Sequence, residues 1–128
     1  MITAFIISLF LTFGIIRFSA YFFHDMKNYG TKNENSKTLT GLLRTKTGFD
    51  WHHFHFGLLI LVIIIPIIFI AGFSTLKVII LAIGISMTID QIVSILNKKS
   101  NYFHIKNLSI SFIFHLIISI IALIVYFY

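Results

Sequence analysis

Four long, unbroken apolar runs constrain this chain more than any other feature. They extend from Ile2 to Phe23, from Trp51 to Gly72, from Leu76 to Leu96 and from Leu108 to Tyr128, each rich in Ile, Leu and Phe. An α-helix needs roughly 20 consecutive apolar residues to cross the hydrocarbon core of a bilayer. Continuous runs exclude membrane strands, whose residues alternate between lipid and lumen. Size excludes a soluble fold: of 128 residues, 58% are hydrophobic and only 11% are charged, and a small domain has too little interior to hide such a surface. The same balance excludes intrinsic disorder. The expected class is an all-α membrane protein, a four-transmembrane-helix bundle forming a single integral domain over residues 1–128. The chain has no Cys, which excludes a disulfide scaffold, iron–sulfur clusters, thiolate zinc sites and thiol nucleophiles.

The breaks between runs carry the topology. The first, His24 to Asp50, is long and polar. The second is a tight turn, Ala71-Gly72-Phe73-Ser74-Thr75. Gly72 suits a helix C-cap and Ser74 or Thr75 an N-cap, so the second and third spans form an antiparallel hairpin. The third break is Asn97 to Lys106. Lys27, Lys32, Lys37, Arg44 and Lys46 lie in the first break, and Lys98, Lys99 and Lys106 in the third. Lys77 alone lies on the other side. The positive-inside rule puts the first and third breaks in the cytoplasm and both termini on the non-cytoplasmic side. The first span has no basic residue ahead of it, the opposite polarity to a cleaved signal peptide, and is expected to remain as a span. The net charge of +6 is accounted for by topology and by contact with anionic membrane lipid. Membrane lipid is thus the expected partner, and no nucleic-acid motif is present.

Ionisable residues inside hydrocarbon are costly and usually functional. Here they are few: Arg17 in the first span, Asp90 in the third, His115 in the fourth, and His52, His53 and His55 opening the second. Helical spacing gives each span one small or polar stripe. The stripes are Gly14, Arg17, Tyr21 and His24; His52 and His55, continued by Phe56 and Leu59; Ala82, Ser86, Asp90 and Ser94; and Ser111, His115, Ser119 and Ala122. His53 points off the second stripe. Each stripe is expected to face protein, because lipid cannot satisfy polar groups. Counting from the hairpin centre, His55 and Asp90 differ in depth by only about 3 Å at 1.5 Å per residue. Arg17, His55, Asp90 and His115 can therefore share one layer in the cytoplasmic half. Pro66, the only Pro, is expected to kink the second span.

Two imidazoles and a carboxylate form a common ligand set for zinc and non-haem iron. The sequence therefore predicts a divalent metal, zinc or iron, held by His52, His55, Asp90 and His115. Arg17 would hold an anionic substrate group or pair with Asp90, and His24, His53 and His104 are secondary candidates. The plainer readings are an interfacial aromatic belt for the histidines, a structural Arg17–Asp90 pair, a snorkelling Arg17 and a neutral His115 bonded across helices. Asp50 is expected to cap the second span.

The order Arg44, then His52-His53-Phe54-His55-Phe56-Gly57, then Gly84 and Asp90 resembles small prokaryotic polytopic membrane proteins with a His-His-x-His-x-Gly segment opening a transmembrane helix. The resemblance covers roughly residues 44 to 91. It implies a multi-pass protein of a prokaryotic cell membrane and no particular activity. In those proteins a glycine-rich helix ends in acidic residues; here Gln91 stands where a second would fall. A single His box separates the chain from membrane desaturases and hydroxylases, which carry several.

Four functions fit the pattern. One is a metal site, with enzymatic action on a lipid-like substrate. The second is proton or cation passage through an oligomeric channel or transporter, since short spans with serine stripes can form homo-oligomers. The third is b-type haem with His55 and His115 as axial ligands. The fourth is an interaction module whose polar layer fixes helix register.

Overall fold

The computed structural model describes residues 1–23, 42–43, 46–47, 52–96 and 105–128. Four helices follow in order: α1 Ile2–Phe23, α2 His53–Ala71, α3 Thr75–Leu96 and α4 Ile105–Phe127. All four are long and apolar enough to cross a membrane. Large side chains such as Phe69 and Ile70 stand 86% and 87% exposed on the outside of α2. Contiguous apolar surface of this kind needs lipid or protein around it, not water.

The boundaries differ from expectation at two places. His52 is the N-cap of α2, so Asp50, two residues earlier and outside the described residues, is not. The His52 backbone N–H donates to His55 Nδ1 at 3.1 Å, so an imidazole does the capping work usually done by a carboxylate. The α4 helix begins at Ile105, three residues before Leu108, and takes Lys106 and Asn107 into its first turn. Pro66 lies inside α2, which runs through it without a break.

The hairpin turn is as the sequence implies. Gly72 caps α2 at φ 66°, a backbone region that favours glycine. Ser74 opens α3: its carbonyl accepts the Val78 N–H at 3.0 Å and its Oγ accepts the Lys77 N–H at 3.4 Å. Lys77 Nζ donates to the Ala71 and Gly72 carbonyls at 2.8 and 2.6 Å. Its positive charge thus sits on the negative end of α2.

Helix α3 is the centre of the bundle and packs against α1, α2 and α4. The α2–α3 seam is closed by glycines. A methyl on Gly57 would lie 2.5 Å from Thr88 Oγ1 and 2.9 Å from the Gly84 carbonyl, and one on Gly84 would lie 2.9 Å from Ile60. Toward the hairpin, Phe5 and Leu9 of α1 interlock with Val78 and Ala82 of α3. Met1, Phe73 and Tyr126 line one apolar groove there, so both termini and the hairpin share one end of the bundle.

Two of the expected stripes are displaced. On α1 the buried face is Phe5, Leu9, Phe13, Ile16 and Ala20. Gly14 has no atom within 4 Å of where its Cβ would be, and Tyr21 is exposed. On α2 the buried residues are Gly57, Ile64 and Ile68, while Leu59 faces outward. In lipid an apolar face can be either inside or outside, so polarity does not choose it; close fit does.

Candidate functional site

The polar site is built on the two stripes that do face inward, one on α3 and one on α4. Ser86 and Asp90 of α3, and Asn107, Ser111 and His115 of α4, are fully buried, and Ser119 is nearly so. Successive members are four residues apart, so each stripe is a straight ladder along its helix.

Asp90 Oδ1 is the hub. Arg17 reaches it from α1 through Nε at 2.7 Å and Nη2 at 2.6 Å. Ser111 Oγ donates to the same oxygen from α4 at 2.8 Å. Asp90 is 0% exposed and the Arg17 side chain 11%. Arg17 stands at the border of the buried α1 face, and its length brings the guanidinium inside. The Phe13 ring lies 5.8 Å from the guanidinium carbon, a cation–π distance.

His115 lies one turn further along α4. Its Nδ1 is 2.7 Å from the Ser111 carbonyl oxygen. A carbonyl only accepts, so Nδ1 carries the hydrogen. Nε2, 2.9 Å from Ser86 Oγ, then accepts the Ser86 hydroxyl in the neutral ring. Phe13 packs on the imidazole with ring centroids 4.6 Å apart, and Phe10 stands beyond at 6.2 Å. The remaining hydroxyls bond their own helix: Thr88 Oγ1 to the Gly84 carbonyl at 2.8 Å and Ser119 Oγ to the His115 carbonyl at 2.9 Å. Back-bonding of this kind satisfies a hydroxyl without a partner helix.

Arg17, Asp90 and His115 thus converge as the sequence suggests, and the pairing of Arg17 with Asp90 is present. The histidines of α2 are arranged differently. Gly57 faces α3, and His55, two residues earlier, lies about 200° away around the helix at 100° per residue. Its Nδ1 is occupied as acceptor by the His52 N–H, and its ring stacks on that of His52. His53, four residues before Gly57, is the one on the α3 side. Among the described residues, no three His, Cys, Asp or Glu are gathered so that they could hold a metal ion. The donor set His52, His55, Asp90 and His115 is therefore not assembled in this arrangement. His24 and His104 lie outside the described residues, as do the side chain of Ser94 and Asn97.

Asn107 and Gln91 are buried polar residues that the stripes did not include. Asn107 was legible, since it precedes Ser111 by four. Gln91 is 2% exposed and continues the Gly84–Thr88 face. Comparison with protein-family models, with curated proteins and with solved structures gives no match. Geometry alone therefore carries the functional reading.

Proposed function

We propose that this protein is a multi-pass membrane protein that passes protons or small cations across the bilayer, with Asp90 as the proton-exchanging group. The observation that carries the reading is that one carboxylate oxygen ties three helices together. Arg17 of α1 and Ser111 of α4 both donate to Asp90 Oδ1 of α3. A proton arriving on that oxygen removes the charge that holds the guanidinium. Proton loading is thereby linked to release of α1 from α3, which is how an intramembrane acid drives a conformational cycle.

His115 is the second station. Its Nε2 faces Ser86 and can accept a proton. Ser111 connects it to Asp90 through a carbonyl on one side and a hydroxyl on the other. A carbonyl does not relay protons, so this arrangement is a closed state. Opening requires Ser111 or an entering water to bridge Asp90 and His115. By the positive-inside rule this layer is expected in the cytoplasmic half, and a homo-oligomer of such bundles would widen the path.

The test is flux in proteoliposomes carrying a pH gradient. Wild-type protein should dissipate the gradient, and Asp90→Asn, which removes the intramembrane acid, should slow this. Flux no faster than in protein-free vesicles, or equal flux from Asp90→Asn, would overturn the proposal.

A further inference from the structure

The closed polar layer opens only if a water enters it, and aromatic rings bar the way to His115. The imidazole is 0% exposed. Phe13 of α1 packs on it with centroids 4.6 Å apart, and Phe10 stands at 6.2 Å. Phe112 of α4 completes the set, 5.7 Å from Phe10 and 6.3 Å from Phe13. Outside these rings, between α1 and α4, lies a groove of about 350 Å³. That is ample for water, whose share of liquid volume is about 30 Å³ per molecule. Among the described residues Phe13 and Phe112 line the groove with Leu108, Ser109 and Ile113, whereas Arg17, Asp90 and His115 do not. Helix α1 meets α4 more lightly than it meets α3, so the groove lies on the weaker of these two seams.

We propose that Phe13, backed by Phe10 and Phe112, is a hydrophobic gate between this groove and the polar layer. The inference rests on the proton-passage reading and names what holds that passage shut. An apolar constriction bars water because water inside it finds no hydrogen-bond partner, and it gates by drying and wetting. Phe13 is the ring that belongs to both sides. It is 9% exposed, packs on His115 and lines the groove. Arg17 lies one turn further along α1, with its guanidinium carbon 5.8 Å from the centre of the Phe13 ring. Attraction between cation and ring favours the closed position, and Arg17 is itself held by Asp90. Loss of the Asp90 charge therefore loosens the neighbour that steadies Phe13, which links opening of the gate to proton loading.

Carbethoxylation of His115 by diethyl pyrocarbonate, mapped by peptide mass spectrometry on the full-length protein in detergent, reads the gate directly. Both ring nitrogens are engaged in the closed layer, so wild-type His115 should react slowly beside a free histidine peptide. Phe13→Ala should speed the reaction about tenfold or more; tenfold corresponds to about 1.4 kcal/mol, less than truncating a packed Phe ordinarily costs. Phe5→Ala is the matched control. It removes a similarly buried ring of α1 from the cluster at the hairpin end and should leave His115 slow. Phe13→Leu is read instead if Phe13→Ala loses its cooperative unfolding transition. Wild-type His115 that reacts like the free peptide, an unchanged rate in the folded Phe13 variant, or an equal rise in Phe5→Ala would overturn the gate. Proton flux in proteoliposomes is the separate readout. Where wild type conducts, the Phe13 variant should conduct faster, and an equal or lower flux would also overturn the gate. No flux from either protein counts against transport, while the gate is still judged on His115.

Discussion

At the scale of single residues, the Asp90 carboxylate dominates. Its Oδ1 accepts from Arg17 and Ser111 in a fully buried position. Removing one partner of a buried pair leaves the other charge uncompensated, at a cost of roughly 3–5 kcal/mol. Asp90→Asn and Arg17→Gln should each lower the unfolding midpoint in detergent, and the double variant should recover part of the loss. Strictly additive losses would show that the two side chains do not act as a pair. The serines should separate in the same assay. Ser111→Ala removes a hydrogen bond to a charged group, worth about 1.5–3 kcal/mol. Ser119→Ala removes only a bond to its own helix and should cost less than about 0.6 kcal/mol, the average for interhelical hydrogen bonds in membranes. Equal losses from the two would contradict the hub. The Arg17–Asp90 pair was legible in the sequence because charges are so scarce in these spans that each must find the other. The orientation of His55 was not. Spacing tells which residues share a face, not which face meets the neighbour, and here Gly57 decides that by letting α3 approach.

At the scale of elements, the same logic explains which helix faces were legible. The α3 and α4 stripes contain several polar side chains that cannot face lipid, so polarity alone orients them. On α1 and α2 it does not, because a single Gly or Tyr in an aliphatic helix is tolerated outside. Glycine substitutions test the distinction. Gly57→Ala drives a methyl into the Thr88 and Gly84 backbone, and overpacking of this kind costs about 1–3 kcal/mol. Gly14→Ala meets nothing and should be neutral or stabilising by up to about 1 kcal/mol through helix propensity. Thermal unfolding in detergent distinguishes them, and a Gly57→Ala variant as stable as Gly14→Ala would mean that α2 and α3 do not pack through this seam. The hairpin was legible for a local reason: Gly72 is the only residue there that adopts φ 66° without strain.

At the scale of the whole molecule, the arrangement sharpens the argument about orientation. Both termini and the hairpin meet at one end, around the groove lined by Met1, Phe73 and Tyr126. Among the described residues, the only Lys or Arg near that end is Lys77, and its ammonium is committed to the Ala71 and Gly72 carbonyls as a cap on α2. It therefore adds little to the charge that orients the protein, and the asymmetry is steeper than a residue count suggests. In the sequence the other Lys and Arg outside the first span fall between the first and second and between the third and fourth apolar runs, and each would be favoured near anionic lipid by about 1 kcal/mol. The expected orientation has Met1 and Tyr128 outside and the His24–Asp50 and Asn97–Lys106 segments in the cytoplasm. The absence of Cys makes single-cysteine labelling direct. In intact cells, Cys introduced at Asn33 or Asn101 should resist a membrane-impermeant thiol reagent, and both should react after permeabilisation. Cys at Phe73, which is 68% exposed at the hairpin, should react without it. Labelling of Asn33 and Asn101 in intact cells, with Phe73 protected, would invert the molecule. It would place the Asp90 hub and the α2 N-terminus in the outer half of the bilayer, and proton entry to Asp90 would then come from outside the cell.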